Sequence, residues 1–211
     1  MPETNISSTD YSDLTNAMTS FSVDAVSTDG PADQRETEYM NPDWSQQLGY
    51  YKQIPELQAS IDAKATWTVG KGFTADPQTT FILDGIKGFG KDTFNTILEN
   101  MIRTYTIGGD AYSEIIRDKK KNLINIKPLD TGVMKIICNR KGIIIRYEQT
   151  SKVGIPPKKF QPEDILHFSR NRVADEIHGI SIIPAVEQII LMRNEAMDDM
   201  KQLMHRHVNQ E

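Results

Sequence analysis

Phe94, Ile97, Leu98, Met101, Ile102 and Tyr105 recur at the i, i+3, i+4, i+7, i+8, i+11 spacing of one helical stripe. The pattern predicts a helix over about 92–106, closed by Gly108-Gly109, since glycine accepts the left-handed backbone of a C-terminal cap. Just beyond it the period falls from 3.6 to 2. Ile124 and Ile126 alternate with Asn125 and Lys127, as one buried and one wet face require. Strands are predicted at about 111–117, 122–128, 133–138 and 142–148. Lys119-Lys120-Lys121 with Asn122 turns the first pair, and Asn139-Arg140-Lys141-Gly142 the last. Ile165-Leu166-His167-Phe168 reads as another short strand.

On the N-terminal side, Asn41-Pro42-Asp43-Trp44 reads as a turn or a helix start. Ile54, Leu57 and Ile61 are helically spaced, with Pro55 suited to a first turn, so a helix is expected over about 55–66. The β-branched and aromatic run Ala65-Thr66-Trp67-Thr68-Val69, followed by glycines and Phe73, suggests a short strand, with 74–80 as loop. On the C-terminal side, Ser181 can cap and Pro184 suits a first turn, so a long helix is expected from about 182–184. Glu187 near its start and His205, Arg206 and His207 near its end agree with the helix dipole. Its apolar positions are Ile182, Val186, Ile189, Ile190, Met197, Met200, Leu203, Met204 and Val208, interrupted by Arg193. The fold class is α+β: a mixed or antiparallel sheet flanked by helices, with a long C-terminal helix.

Charge divides the chain. Residues 1–43 hold nine acids against one base, a balance of −8, whereas the remaining residues hold 20 acids and 23 bases, a balance of +3. The acidic stretch is rich in Ser, Thr, Asp and Asn and sustains no period, so its apolar content is too thin to offset the entropy of ordering it. The organisation expected is a disordered acidic tail over 1–40 and one α+β domain over 41–211. No run of eighteen apolar residues suggests a membrane span, and Met1-Pro2-Glu3-Thr4-Asn5 lacks the basic and apolar regions of a signal peptide. The single cysteine, Cys138, lies in the run Val133-Met134-Lys135-Ile136-Ile137 and reads as a small buried hydrophobe in a reducing compartment.

One stretch invites an enzymatic reading. Gly85-Ile86-Lys87-Gly88-Phe89-Gly90-Lys91 fits the G-x-x-x-x-G-K form of a phosphate-binding loop and follows the apolar Phe81-Ile82-Leu83. The next residue, however, is Asp92, where such a loop needs Ser or Thr for magnesium, and a negative charge there opposes a phosphate. A flexible approach to a helix capped by Asp92 or Thr93 accounts for the same residues. His167 has no second ligand at metal spacing and reads as a hydrogen-bonded structural histidine. Arg170, Arg172, Asp175, Glu176 and His178 form a polar loop. No catalytic triad, singled-out carboxylate pair or C-x-x-C emerges, and no metal or cofactor is expected. Lys119, Lys120, Lys121, Lys158 and Lys159 are candidate phosphate contacts, although solvated turns explain them as well. Met192, Met197, Met200 and Met204 fit either an adaptable partner surface or ordinary core filling.

Four segments, in order, resemble the portal proteins of tailed bacteriophages, the head-to-tail connectors. They are Gly109-Asp110-Ala111-Tyr112-Ser113-Glu114-Ile115, Lys127-Pro128-Leu129-Asp130, Phe160-x-Pro162-Glu163-Asp164-Ile165-Leu166-His167, and Gly179-Ile180-Ser181-Ile182-Ile183-Pro184-Ala185 opening a helix. The similarity covers roughly residues 50–200. It implies the wing region of a dodecameric ring at one capsid vertex, in the virion and, during assembly, in the host cytoplasm. It further implies non-catalytic work beside capsid proteins, a terminase motor and head-tail adaptors. Double-stranded DNA would pass through the ring and be contacted without sequence preference. Members of that family continue into stem, clip and crown elements, so this chain is expected to stop short of them. Two other readings follow from the residues: an enzyme acting on nucleotides or nucleic acid through the 85–91 loop, and an adaptor module that binds a protein through the methionine-bearing helix.

Overall fold

A computed structural model describes residues 36–139, 141–151 and 156–208. The acidic stretch before residue 36, and with it the expectation of disorder there, lies outside the described residues. So does Arg140 of the predicted hairpin turn. In chain order the elements are β1 (Glu36–Tyr39), α1 (Trp44–Gln53), α2 (Pro55–Val69), α3 (Pro77–Asp84), α4 (Phe94–Gly108), β2 (Asp110–Arg117), β3 (Leu123–Leu129), β4 (Met134–Asn139), β5 (Ile144–Gln149), β6 (Lys158–Phe160), β7 (Ile165–Ser169) and α5 (Ile183–Val208). The strands divide into two antiparallel sheets, ordered β1-β4-β5-β6 and β3-β2-β7.

The β3-β2-β7 sheet forms the centre because both its faces are covered. Tyr112 and Ile165 point one way, into a core with Met134, Ile136, Cys138, Tyr147 and Phe160 of the other sheet. Their neighbours Ala111 and Leu166 point the other way, with Ile126 and Phe168, onto Ile86, Ile97 and Met101 of the helical side. Alternation of side chains along a strand produces this division. Helix α4 then carries α2 on its outer side through Ile102, which packs on Ala65 and Val69. The order of layers is sheet, sheet, α4, α2.

Local chemistry explains most element ends. Thr93 begins α4 with a capping box: its hydroxyl accepts from the Thr96 amide while Thr96 Oγ1 accepts from the Thr93 amide. Gly109 ends α4 at φ +88°. Between β2 and β3, Asp118 accepts from the amides of Lys120 and Asn122 and so shapes the lysine-rich turn.

Three expectations are corrected. Residues 65–69 are not a strand; they are the last turns of α2, because helical spacing puts Ala65 and Val69 together against Ile102. Burial on that face outweighs the β propensity of Thr66, Trp67 and Thr68, and Trp67 is left 85% exposed. Residues 77–80, expected as loop, open α3, where Asp76 caps the Thr79 amide and Pro77 occupies the first turn. The apolar run Phe81-Ile82-Leu83 is therefore helical. Finally, residues 36–39, expected as the end of the tail, form β1, which pairs with β4 from Glu36↔Asn139 to Tyr39↔Ile136. The acids that made this segment look like tail are used: Glu36 pairs with Arg146 and Glu38 with Lys135.

Candidate functional site

The segments that carry the portal resemblance converge on one buried carboxylate, Asp110, at the start of β2. Its side chain is 0% exposed. Oδ1 accepts from His167 Nε2 at 2.9 Å and from the Gly179 amide at 3.0 Å, and Oδ2 accepts from His178 Nδ1 at 2.7 Å. Strand β2 places Asp110, strand β7 places His167, and the loop leading to α5 places His178 and Gly179. His167 stacks on Tyr112 with ring centroids 4.6 Å apart. Its Nδ1 shares a hydrogen bond with Tyr147 Oη at 3.2 Å.

The electrostatics follow from this geometry. Burial, the largest single influence, pushes the Asp110 carboxyl up, but the hydrogen bonds from His167, His178 and the Gly179 amide, with the attraction of His167, together hold the group below the usual aspartate range. The Tyr147 phenol is pushed up to about 12, first by burial and then by the nearby Asp110 charge. Asp110 is thus an ionised acceptor sealed from solvent. Nothing dissolved in water reaches it, and what it holds is the chain.

The backbone around it is equally constrained. The Arg170 amide donates to the Gly109 carbonyl and the Ile180 amide to the Arg170 carbonyl. Ser181 Oγ donates to the Ile107 carbonyl and accepts from the Ile183 amide at 3.0 Å, which starts α5. Gly109 and Gly179 cross so closely that a Cβ on either would collide with the other's carbonyl. Thr131, which follows the Lys127-Pro128-Leu129-Asp130 segment, donates its hydroxyl to the Asp110 carbonyl. The site is a junction that fixes where α5 leaves the domain. Contacts of Tyr50 with Glu187 and of Arg193 with Glu56 then hold its first half to α1 and α2.

His167 is the hydrogen-bonded structural histidine its strand context predicts. Asp110 and His178 were not singled out by spacing, since they stand 57 and 11 residues from it and no local motif joins them. A usable signal was the lone acid following Gly109 in an otherwise apolar strand start.

The remaining candidates separate. In the 85–91 loop the amides of Lys87 and Gly88 donate to Asn125 Oδ1, and that of Phe89 to Asp92 Oδ2. A phosphate cradle needs such amides free and pointing at the ligand, whereas here Asn125 of β3 and Asp92 already occupy them. Helix α3, not a strand, precedes it, and Ile86 is buried as a plug. Lys119, Lys120 and Lys121 lie in the β2–β3 turn and its approach. Lys158 pairs with Glu114 and Lys159 with Glu148, so these two already have anions. Met192, Met197, Met200 and Met204 do not fill a core; all four are exposed on α5. Cys138 is buried. Among the described residues no group of three His, Cys, Asp or Glu side chains is arranged to hold a metal ion, and no helix is long and apolar enough to cross a membrane.

The fold defined by these layers is shared with structural components of a phage-like particle. The chain superposes on a chain of the neck of a native gene transfer agent particle computed with C12 symmetry, with a TM-score of 0.67 at 18% identity. That match covers 80% of this chain and 47% of the other. A chain of the virion of the native particle gives TM-score 0.67 at 17% identity, again covering 80% and 47%. A chain of the neck of the empty particle, computed with C6 symmetry, gives 0.66 at 16% identity and covers 80% and 48%. This chain therefore spans about half the length of the structures it matches. No protein-family model and no curated protein sequence matches it.

Proposed function

We propose that this chain is a non-catalytic structural domain of a head-to-tail connector, the wing part of a portal ring in a phage-like virion. The observation that carries this is the shared fold over 80% of the chain with particle-neck components. The junction adds physical sense, because a ring subunit must present its long helix at a fixed angle and Asp110 fixes it. In this reading double-stranded DNA passes through the assembled ring. Capsid, terminase and adaptor proteins are its other partners, and the ring assembles in the host cytoplasm.

The surface fits self-association. Beyond Arg193 the face of α5 that buries Ile183 and Ile190 continues as Met197, Met200 and Met204 at i, i+3, i+7, with no cover among the described residues. Elsewhere Trp67, Phe81 and Phe89 stand exposed on α2, α3 and the 85–91 loop. Rings close through heterologous contacts, which join two unlike patches of the same chain. The adaptor reading uses the same methionine face with a different protein. Against the nucleotide reading stand the Lys87, Gly88 and Phe89 amides, already bonded to Asn125 and Asp92.

The test is negative-stain microscopy and light scattering of the complete gene product. Closed rings of one size are expected. Absence of rings at every concentration refutes the proposal. Replacing Met197, Met200 and Met204 by serine should lower the association state while leaving the fold intact, since exposed substitutions of this kind change stability by only about 0.5 kcal/mol.

A further inference from the structure

An open cleft of about 650 Å³ lies between α2, α4 and the end of β7, with Lys64, Thr68, Tyr105, Ser169, Arg170 and Asn171 on its walls. It carries two cations and no anion. Lys64 Nζ rests over the Tyr105 ring, 5.6 Å from its centroid, and pairs with no carboxylate among the described residues. Asp62, two residues earlier on α2, is taken by Arg103 and Tyr51. Arg170 is held in place by one hydrogen bond, Nη1 to the Ile180 carbonyl at 2.8 Å. Its backbone is clamped on both sides, to Gly109 and Ile180. A guanidinium has five N–H donors, so most of this one's remain for a ligand.

Two like charges brought together at one cleft are a cost that the fold does not offset. Burial first, and the Arg170 charge second, push the Lys64 ammonium below its usual range. Arg103, Arg117, Lys135, Arg146, Lys158, Lys159 and Arg193, by contrast, have carboxylate partners. Lys119, Lys120 and Lys121 are exposed at the β2–β3 turn. The cleft thus has a pre-positioned planar donor, an ammonium, the Ser169 hydroxyl and the Asn171 amide, while the Thr68 hydroxyl is already donated to the Lys64 carbonyl. That donor set suits a tetrahedral oxyanion with several acceptor oxygens.

We infer that this cleft is a phosphate-binding site, in which Arg170 and Lys64 together hold the phosphate group. The inference stands apart from the connector reading. The group has two sources, free or small-molecule phosphate and the phosphodiester backbone of nucleic acid, and the chemistry that recognises it is shared.

The experiment is an NMR titration of the whole chain with inorganic phosphate, chloride being withdrawn to keep ionic strength constant. Saturable shifts of the amides of residues 169–171 and of the Tyr105 ring are expected, with a dissociation constant on the order of 1 mM. Lys64→Gln, at an exposed side chain, should weaken binding about tenfold, as loss of one charge-assisted hydrogen bond does. Lys119→Gln in the β2–β3 turn should not change it. Shifts that fail to saturate, or that are equal in the wild type and Lys64→Gln, overturn the site. A duplex oligonucleotide added to the phosphate-loaded protein assigns the source. Displacement of phosphate points to a nucleic-acid backbone, and retention of phosphate points to a free or small-molecule ligand.

Discussion

Replacing Asp110 by alanine should release the start of α5 from the domain. The substitution removes a fully buried acceptor that serves three donors, at 2.9 Å from His167, 2.7 Å from His178 and 3.0 Å from Gly179. Each buried donor left without a partner costs about 1–3 kcal/mol. Removing one member of a buried charge-assisted group costs about 3–5 kcal/mol in all, because the orphaned partners relax and part of the cost is shared. The expected loss is therefore about 3–5 kcal/mol, a large share of the 5–15 kcal/mol typical of a folded domain. For a domain of this size that lowers Tm by roughly 6–20 °C. Asp110→Asn should cost less, because its carbonyl oxygen still accepts and the imidazoles can change tautomer to meet its amide.

The acid limb offers a second measurement on the same residue. The carboxyl is held below its unfolded range. Its contribution is therefore present above the unfolded pKa and is lost as pH falls through the lower folded one. Urea midpoints measured from neutrality down to about pH 2 should show that limb in the wild type. Asp110→Asn should lack its share of it. Hydrogen exchange should rise first at residues 178–183 in Asp110→Ala. A loss below about 1 kcal/mol for Asp110→Ala, with an unchanged acid limb in Asp110→Asn, would falsify the junction argument.

Three further outcomes are expected. Gly109→Ala or Gly179→Ala should destabilise by about 3 kcal/mol or more, since each new methyl meets the other residue's carbonyl and Gly109 also sits at φ +88°; thermal melts read this directly. Cys138 is fully covered, and burial pushes its thiol up although Arg172 opposes the shift. It should resist a thiol reagent in the native protein and react at the rate of unfolding; rapid native labelling would contradict its placement. Titration with ATP or GTP should give flat curves in which Lys91→Ala changes nothing, because the amides of the 85–91 loop are already bonded to Asn125 and Asp92; saturable binding lost with Lys91 would restore the nucleotide reading.

Short-range rules sufficed wherever the energetics are local. The stripe from Phe94 to Tyr105 specified α4 on its own, with Thr93 and Gly109 as its ends. Alternation at 123–127 specified a strand with one buried face. The cap at Asp76 with Pro77 was equally legible in principle and would have placed α3. Ser181 and Pro184 located the start of α5 to within a residue or two. The order and spacing of four segments along the chain carry the portal resemblance.

What the chain could not declare by itself depended on contacts between residues far apart in sequence. Residues 65–69 favour a strand in isolation and became helix because Ala65 and Val69 bury against Ile102, more than thirty residues away. Glu36 and Glu38 looked like tail until β4 and β5 brought Lys135 and Arg146 to them. The 85–91 loop had the spacing of a phosphate cradle, and only the position of Asn125, 37 residues on, showed its amides to be taken. Asp110, His167 and His178 form a site only after β7 pairs with β2 and the 170–180 loop folds back. Lys64 and Arg170 share a cleft only because α2 packs on α4. Periodicity, caps and turns are set by neighbours along the chain, so the sequence determines them. A buried charge, an exhausted donor and a pair of uncompensated cations are properties of a place in space, and the tertiary structure alone decided them.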